Sequence, residues 1–140
     1  FGLVLTDNGT EFSDTEALRG RFHGTARTKV YYCDVRASQQ KGGCERNHVE
    51  LRKLLPKGLG ISFDDLKARD MAVVMSQLNS EPRPSLMNMP PIAMLKAADP
   101  EGAGALMAAL GIEEIPYERL SLKVDAVNQD REERGSKPLT

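Results

Sequence analysis

The chain has few cysteines, no long apolar run and almost no net charge. Its two cysteines, Cys33 and Cys44, are too few for a disulfide framework and favour a reducing compartment. No apolar run approaches the roughly 18 residues of a membrane span. The N-terminal run FGLVL lacks the basic flank of a signal peptide. These absences favour a soluble chain, and its 140 residues are enough to bury one core.

The net charge of −1 conceals an uneven distribution of charge along the chain. Residues 19–57 contain ten basic and three acidic side chains, which gives this segment a charge of +7. Residues 58–140 contain nine basic and thirteen acidic side chains. A basic segment in a neutral chain is typical of a surface that binds a polyanion, although clustered solvated Arg and Lys give the same pattern.

The apolar pattern predicts strands first and helices later. Residues 1–6 have the length and flanks of a buried strand. Residues 29–33 are β-branched and aromatic, which predicts a second strand, with a short helix at about 14–20 between the two. Residues 34–43 are polar and contain Gly42-Gly43, which is typical of a loop. Helices are predicted over residues 44–55, from a cap at Ser62 to about Asn79, and over 91–97 and 102–110. The polar residues 121–140 predict a poorly ordered tail.

The stretch LTDNGTEF, residues 5–12, follows directly on the first apolar run. Asn8-Gly9 is a strong signal for the turn of a β-hairpin. The alternative is that the strand delivers Asp7 to a functional site at its carboxyl end. The residues that follow open with helix-capping types rather than a second strand, which weakens the hairpin interpretation and leaves both open.

Asp7 and Glu45 are candidates for a shared metal site. Asp7 is predicted at the end of a strand and Glu45 in the first turn of a helix. Mg²⁺ accepts one or two protein carboxylates and leaves its other positions for water and substrate phosphate. Because Asp and Glu are common, spacing alone does not establish such a site.

Two longer motifs surround these carboxylates. TDNGTEF (6–12) resembles the second-aspartate motif of DDE transposases and retroviral-type integrases, and SQQKGGCERNH (38–48) resembles their glutamate motif. The continuations LRKLLPKG (51–58) and LNSEPRP (78–84) are similar to the bacterial insertion-sequence transposases of the IS-thirty family. The resemblance covers roughly residues 3–95.

This resemblance implies an α/β fold, namely a partial RNase H-like fold followed by a mostly helical extension. It assigns residues 1–80 to the catalytic core, 81–120 to a Pro-rich connector with short helices, and 121–140 to the tail. It implies Mg²⁺- or Mn²⁺-dependent DNA cleavage and strand transfer, with Asp7 and Glu45 as the second and third catalytic, metal-binding carboxylates. The implied partners are transposon ends and target DNA, with a homo-oligomer in the full-length enzyme, no membrane, and a cytoplasmic, nucleoid-associated location in a bacterium.

The first aspartate of the family's triad has no counterpart here, because none of the six residues before Asp7 is acidic. We therefore expect the chain to be the C-terminal part of a transposase that is inactive alone. The alternative is a non-catalytic DNA-binding or assembly module derived from a truncated transposase.

Basic residues flank the predicted glutamate helix and are candidates for contacts with DNA phosphates. They are Lys41, Arg46, Arg52, Lys53 and Lys57. Ordinary helix solvation is the alternative, with Lys53 and Lys57 also favourable near the helix C-terminus. A zinc site drawn from both cysteines, His48 and His23 is a weaker possibility, because no Cys-x-x-Cys pair is present.

Overall fold

The chain forms two compact units, residues 1–46 and residues 47–140. The computed structural model describes residues 2–22, 25–34, 37 and 42–139. The division falls inside the glutamate helix, and the second half of that helix contributes core residues to the helical unit.

The first unit contains a pair of parallel strands. Strand β1 (Leu3–Thr6) is followed by helix α1 (Thr15–Arg19), the two-residue strands β2 (Arg21–Phe22) and β3 (Thr25–Ala26), and strand β4 (Lys29–Tyr32). β1 and β4 are parallel, with Leu3 opposite Lys29 and Thr6 opposite Tyr32, while β2 and β3 form a small antiparallel pair. The two predicted longer strands and the short helix between them are present, but β1 is not the buried strand that the sequence predicts, since Thr6 is its one buried residue.

The β-hairpin interpretation of Asn8-Gly9 is wrong. β1 pairs with β4 and not with the residues that follow the turn, where Thr10–Phe12 forms one turn of 3₁₀-helix. Gly9 has φ −64°, whereas a type I′ hairpin turn needs positive φ at both central residues. Asp14 then caps α1 by accepting a hydrogen bond from the backbone N–H of Ala17 at 2.9 Å.

Within the described residues, β1 pairs only with β4, so its other edge is unpaired. Leu3, Leu5 and Tyr31 are exposed. Leu5 and Tyr31 are direct neighbours across the two strands. An isolated two-stranded sheet is marginally stable in water, since it has little apolar surface to bury.

The second unit is helical. It contains the second half of α2 (Gly42–Leu54), then α3 (Ala68–Ser80), α4 (Pro91–Ala98), α5 (Pro100–Leu110) and α6 (Asp125–Glu133). Its core is an apolar cluster from the end of α2 and the residue after it, α3, α6 and the C-terminal segment: Leu54, Leu55, Val74, Leu78, Val127 and Leu139. No helix among the described residues combines the length and apolar character that a membrane crossing needs.

The helix predicted to start at Ser62 starts at Ala68 instead. Ser62 does accept a hydrogen bond, from the backbone N–H of Asp64 at 3.2 Å, but this caps only a 3₁₀ turn over Phe63–Asp65. The chain is extended at Leu66, and the Asp70 carboxylate accepts from the backbone N–H of Lys67 at 2.8 Å. The side chain three residues into α3 therefore fixes where the helix begins.

Residues 121–140 contain a packed helix where the sequence predicts a poorly ordered tail. The cause is a buried ion pair: Arg131 of α6 donates to both carboxylate oxygens of Asp70, at 3.0 and 2.7 Å. Asp70 is fully buried, and Val127 and Leu139 join the apolar core beside it. The polar composition of this segment therefore conceals a few residues that hold it against α3.

Polar side chains on α3 hold the segment that leads to α6. The Ser76 hydroxyl accepts from the backbone N–H of Glu113 at 2.9 Å, and the Ser80 hydroxyl accepts from that of Ile115 at 2.8 Å. Gln77 accepts from the backbone N–H of Ser121 at 2.9 Å. Because buried polar groups need partners, these side chains fix the path of residues 113–121 along α3.

Candidate carboxylate site and nucleic-acid interface

Asp7 lies immediately after β1, at the carboxyl end of the parallel strand pair. Its side chain is exposed, and one carboxylate oxygen accepts a hydrogen bond from the backbone N–H of Gly9 at 3.3 Å. Strand ends of this kind are where open α/β sheets present their functional groups. The structure therefore places Asp7 where a substrate or an ion can reach it.

Asn8 fixes the loop that carries Asp7. Its amide group donates to the backbone carbonyl of Cys33 at 2.9 Å, and the Cys33 N–H donates to the carbonyl of Thr6 at 2.8 Å. These two bonds tie the end of β1 to the end of β4. In the sequence Asn8 is a candidate turn residue and a member of the TDNGTEF motif, but nothing in the local sequence identifies its partner 25 residues away.

Tyr32, the last residue of β4, anchors the segment after the loop. Its hydroxyl donates to the carbonyl of Phe12 at 2.5 Å and lies 3.0 Å from the Thr15 hydroxyl. The 3₁₀ turn and the start of α1 are therefore held at the end of β4, which lies beside the end of β1 that carries Asp7.

Glu45 belongs to the first turn of α2, as the sequence predicts. Its side chain lies outside the described part of the structure, and so does the whole of Lys41. The separation between the Asp7 and Glu45 carboxylates therefore stays a prediction: a shared cleft, with about 4–9 Å between them when no metal is bound.

Carboxylate oxygens are suitable ligands for Mg²⁺, which prefers hard oxygen donors. Among the described side chains, no group of three or more His, Cys, Asp or Glu residues is arranged to hold a metal ion. Asp7 is an exposed carboxylate, and carboxylates fit a Mg²⁺ site that also uses substrate and water oxygens.

The zinc alternative gains no support from the described residues, which contain no such ligand group. Cys33 is a buried free cysteine, as expected for a small core residue. His23 and the Cys44 side chain lie outside the described residues.

The predicted DNA-binding residues of α2 differ in their surroundings. Arg46 and Lys53, and Lys57 in the turn after α2, are exposed. Lys53 forms an ion pair with Glu50, one turn earlier, and a second with Glu81 at 3.4 Å. The hydrogen bond to Glu50 raises the pKa of Lys53, so the ammonium group is charged but already engaged by two carboxylates.

Arg52 takes part in a different contact. Its guanidinium group lies over the ring of Phe63, 5.0 Å from the ring centroid, and donates to the carbonyl of Leu55 at 3.3 Å. A pocket of about 410 Å³ lies around this stacked pair, and we call this cavity the Phe63 pocket. It is lined by His48, Val49, Leu51, Arg52, Lys57 and Phe63.

Comparison with known proteins identifies similar proteins whose names describe a transposase and an integrase. Over 89 residues the chain is 33% identical to "Transposase for insertion sequence element IS1086" from Cupriavidus metallidurans, a match to 64% of this chain and 24% of that protein. Over 83 residues it is 32% identical to "Putative integrase ORF3" of Spiroplasma virus SpV1-R8A2 B, a match to 59% of this chain and 24% of that protein.

The matched regions span about a quarter of the length of both curated relatives. No protein-family model matches the chain, and no solved structure matches it significantly. The chain is therefore similar in sequence to a transposase and to an integrase, as the motifs predict.

Proposed function

We propose that this chain is part of a DDE transposase of the IS-thirty family, with a partial RNase H-like fold. In this proposal it contributes the second and third catalytic carboxylates, Asp7 and Glu45, to DNA cleavage and strand transfer. The observation that carries the proposal is the exposed Asp7 at the carboxyl end of a parallel strand pair, held there by Asn8. The similarity to a transposase and an integrase supports it.

In the proposed site, Asp7 and Glu45 would hold Mg²⁺ or Mn²⁺. When bound, such ions stabilise the attacking and leaving oxygens of a phosphoryl displacement. The role of Asn8 is to orient the loop, since its bond to Cys33 restricts the backbone on which Asp7 is carried. Asp7 is therefore positioned before any ligand arrives, which reduces the entropy lost on binding.

The basic residues of α2 and the turn after it would contact DNA phosphates. Arg46, Lys53 and Lys57 are exposed, but Lys53 is also paired with Glu50 and Glu81. Phosphate contacts position a duplex without reading its sequence. We therefore expect weak binding with little sequence preference and a steep dependence on salt.

Salt dependence tests the DNA interface. Replacing Arg46, Arg52 and Lys57 by Ala removes up to three phosphate contacts, which should reduce the slope of log K against log salt by up to about 2.7. A control with the same change in net charge replaces Lys96, Arg119 and Lys123, which are exposed elsewhere. Equal slopes for both variants would remove α2 from the DNA-facing surface.

A complementation assay tests the carboxylates. We expect the chain to nick supercoiled plasmid in Mg²⁺ only when an N-terminal transposase fragment supplies the first aspartate. Asp7→Asn and Glu45→Gln should each abolish nicking, while Glu16→Gln, an exposed carboxylate on α1, should not. DNA binding without cleavage in the complemented mixture would instead favour the non-catalytic DNA-binding or assembly module.

A further inference from the structure

Phe63 is an aromatic residue that lies outside the apolar core. Its side chain is 50% exposed, on the 3₁₀ turn between α2 and α3. Val49, which also lines the Phe63 pocket, is 64% exposed. Burying a large apolar side chain is favourable by roughly 1.5–3 kcal/mol, so exposed apolar groups that share a concave surface point to a ligand.

The chemistry of the pocket restricts what that ligand can be. Two basic residues, Arg52 and Lys57, lie on it beside the ring. The surrounding segment, residues 46–57, contains four basic residues and one acidic residue. The complementary ligand is therefore a flat apolar group attached to a negatively charged chain.

A nucleotide of single-stranded DNA has both properties. Its base has a flat face that stacks on aromatic rings and on guanidinium planes, and its phosphates pair with Arg and Lys. The volume of about 410 Å³ is within the range of roughly 300–1,000 Å³ typical of small-ligand sites. In duplex DNA the base faces are covered by their neighbours, so only an unpaired base can use the ring.

We propose that the Phe63 pocket binds an unpaired base of single-stranded DNA, stacked on the Phe63–Arg52 pair, with Lys57 near the adjoining phosphate. This inference rests on the proposed function, since it names the form of DNA that the interface selects. It differs from the phosphate contacts proposed for α2, because those do not require an exposed base. The pocket therefore gives the chain a preference for unpaired over paired DNA.

Fluorescence anisotropy with two labelled oligonucleotides of equal charge tests the proposal. One is an oligothymidylate of 20 nucleotides, and the other has the same sugar–phosphate backbone without bases. The wild-type chain should bind the strand with bases more tightly, by about 5- to 140-fold, which corresponds to the stacking of one base. Phe63→Leu keeps an apolar side chain but removes the ring, and it should abolish that difference. Tyr117→Ala, which removes a 77% exposed aromatic residue outside the pocket, should preserve it.

A spectroscopic variant reports directly whether a base contacts the Phe63 pocket. The chain contains no tryptophan, so Phe63→Trp introduces a single fluorophore into the pocket. The emission of this tryptophan should be quenched by the oligothymidylate and not by the oligonucleotide without bases. Tyr117→Trp is the matched control and should not be quenched by either oligonucleotide.

The outcomes separate this inference from the proposed function. If Phe63→Leu retains the wild-type preference, or the single tryptophan is not quenched, the Phe63 pocket does not stack a base and a protein segment becomes the better occupant. Duplex binding with a steep salt slope would then leave the proposed DNA interface intact. Absence of binding to every oligonucleotide at low salt would refute both.

Discussion

Breaking the ion pair between Asp70 and Arg131 should strongly destabilise the helical unit. Asp70 is fully buried at the start of α3, and Arg131 on α6 is only 7% exposed. The carboxylate accepts two hydrogen bonds from Arg131, one from Arg134 at 2.8 Å and one from the backbone N–H of Lys67. Removing one partner of a buried pair leaves an uncompensated charge and costs about 3–5 kcal/mol.

Asp70→Asn makes this perturbation with almost no change in volume. The amide group of the new side chain presents a donor to guanidinium groups that are themselves donors, and the negative charge is lost. With a denaturant slope of about 2 kcal/mol per molar urea, the unfolding midpoint should fall by about 1.5–2.5 M. Circular dichroism at 222 nm follows the transition, because the unit is helical.

Glu114→Gln is the matched control, since it also converts a carboxylate to an amide in an ion pair. Glu114 lies 2.6 Å from the ammonium group of Lys96, but both side chains are 44% exposed. Exposed pairs contribute about 1 kcal/mol or less, so its midpoint should shift by less than about 0.5 M. Equal shifts for the two variants would refute the argument that burial sets the contribution of the Asp70 pair.

Four further outcomes are expected. Hydrogen bonds from Arg131 hold the pKa of Asp70 well below its usual range, so on acidification the unfolded chain takes up this proton before the folded chain does. The free energy of unfolding of the wild-type chain, measured with urea, should therefore fall as the pH drops below about 5. Asp70→Asn should flatten that dependence. Asn8→Ala should destabilise the first unit by about 0.5–1.5 kcal/mol and speed amide exchange at Cys33. Ser13→Ala, which removes an exposed hydrogen bond to the Thr10 carbonyl in the same unit, is the control and should leave exchange at Cys33 unchanged. Leu139→Ala should cost about 2–3 kcal/mol in urea unfolding, against almost nothing for the exposed Leu110→Ala. Lys57→Met should weaken DNA binding in anisotropy assays while Lys53→Met leaves it nearly unchanged, because Lys53 is already paired; the reverse order would contradict this assignment.

Periodicity determined the elements whose signal is local. The strands around residues 3–6 and 29–32, the glutamate helix and the two short helices after Pro90 were all predictable, because apolar spacing and capping residues act within a few positions. The same local signals placed Asp7 at a strand end and Glu45 in the first turn of a helix.

Capping chemistry was less reliable where two candidate caps compete. Ser62 has the residue type and the neighbouring acids of a helix start, yet it caps only a 3₁₀ turn. Asp70 fixes the true start of α3, because its carboxylate serves both the N–H of Lys67 and the guanidinium of Arg131. The second of these bonds connects residues 61 positions apart, and no local pattern reveals it.

By itself, therefore, the sequence determined the local strands and helices and the residues that they carry. It also contains the motifs whose resemblance to a known family identifies Asp7 and Glu45 as candidates. Only the tertiary structure decided which of those side chains are available. It joined Asn8 to Cys33, engaged Lys53 with two carboxylates and left Phe63 half exposed under Arg52. The physical reason is that hydrogen bonding, ion pairing and burial depend on distances in space between groups remote in the chain, whereas periodicity and capping depend on distances along it.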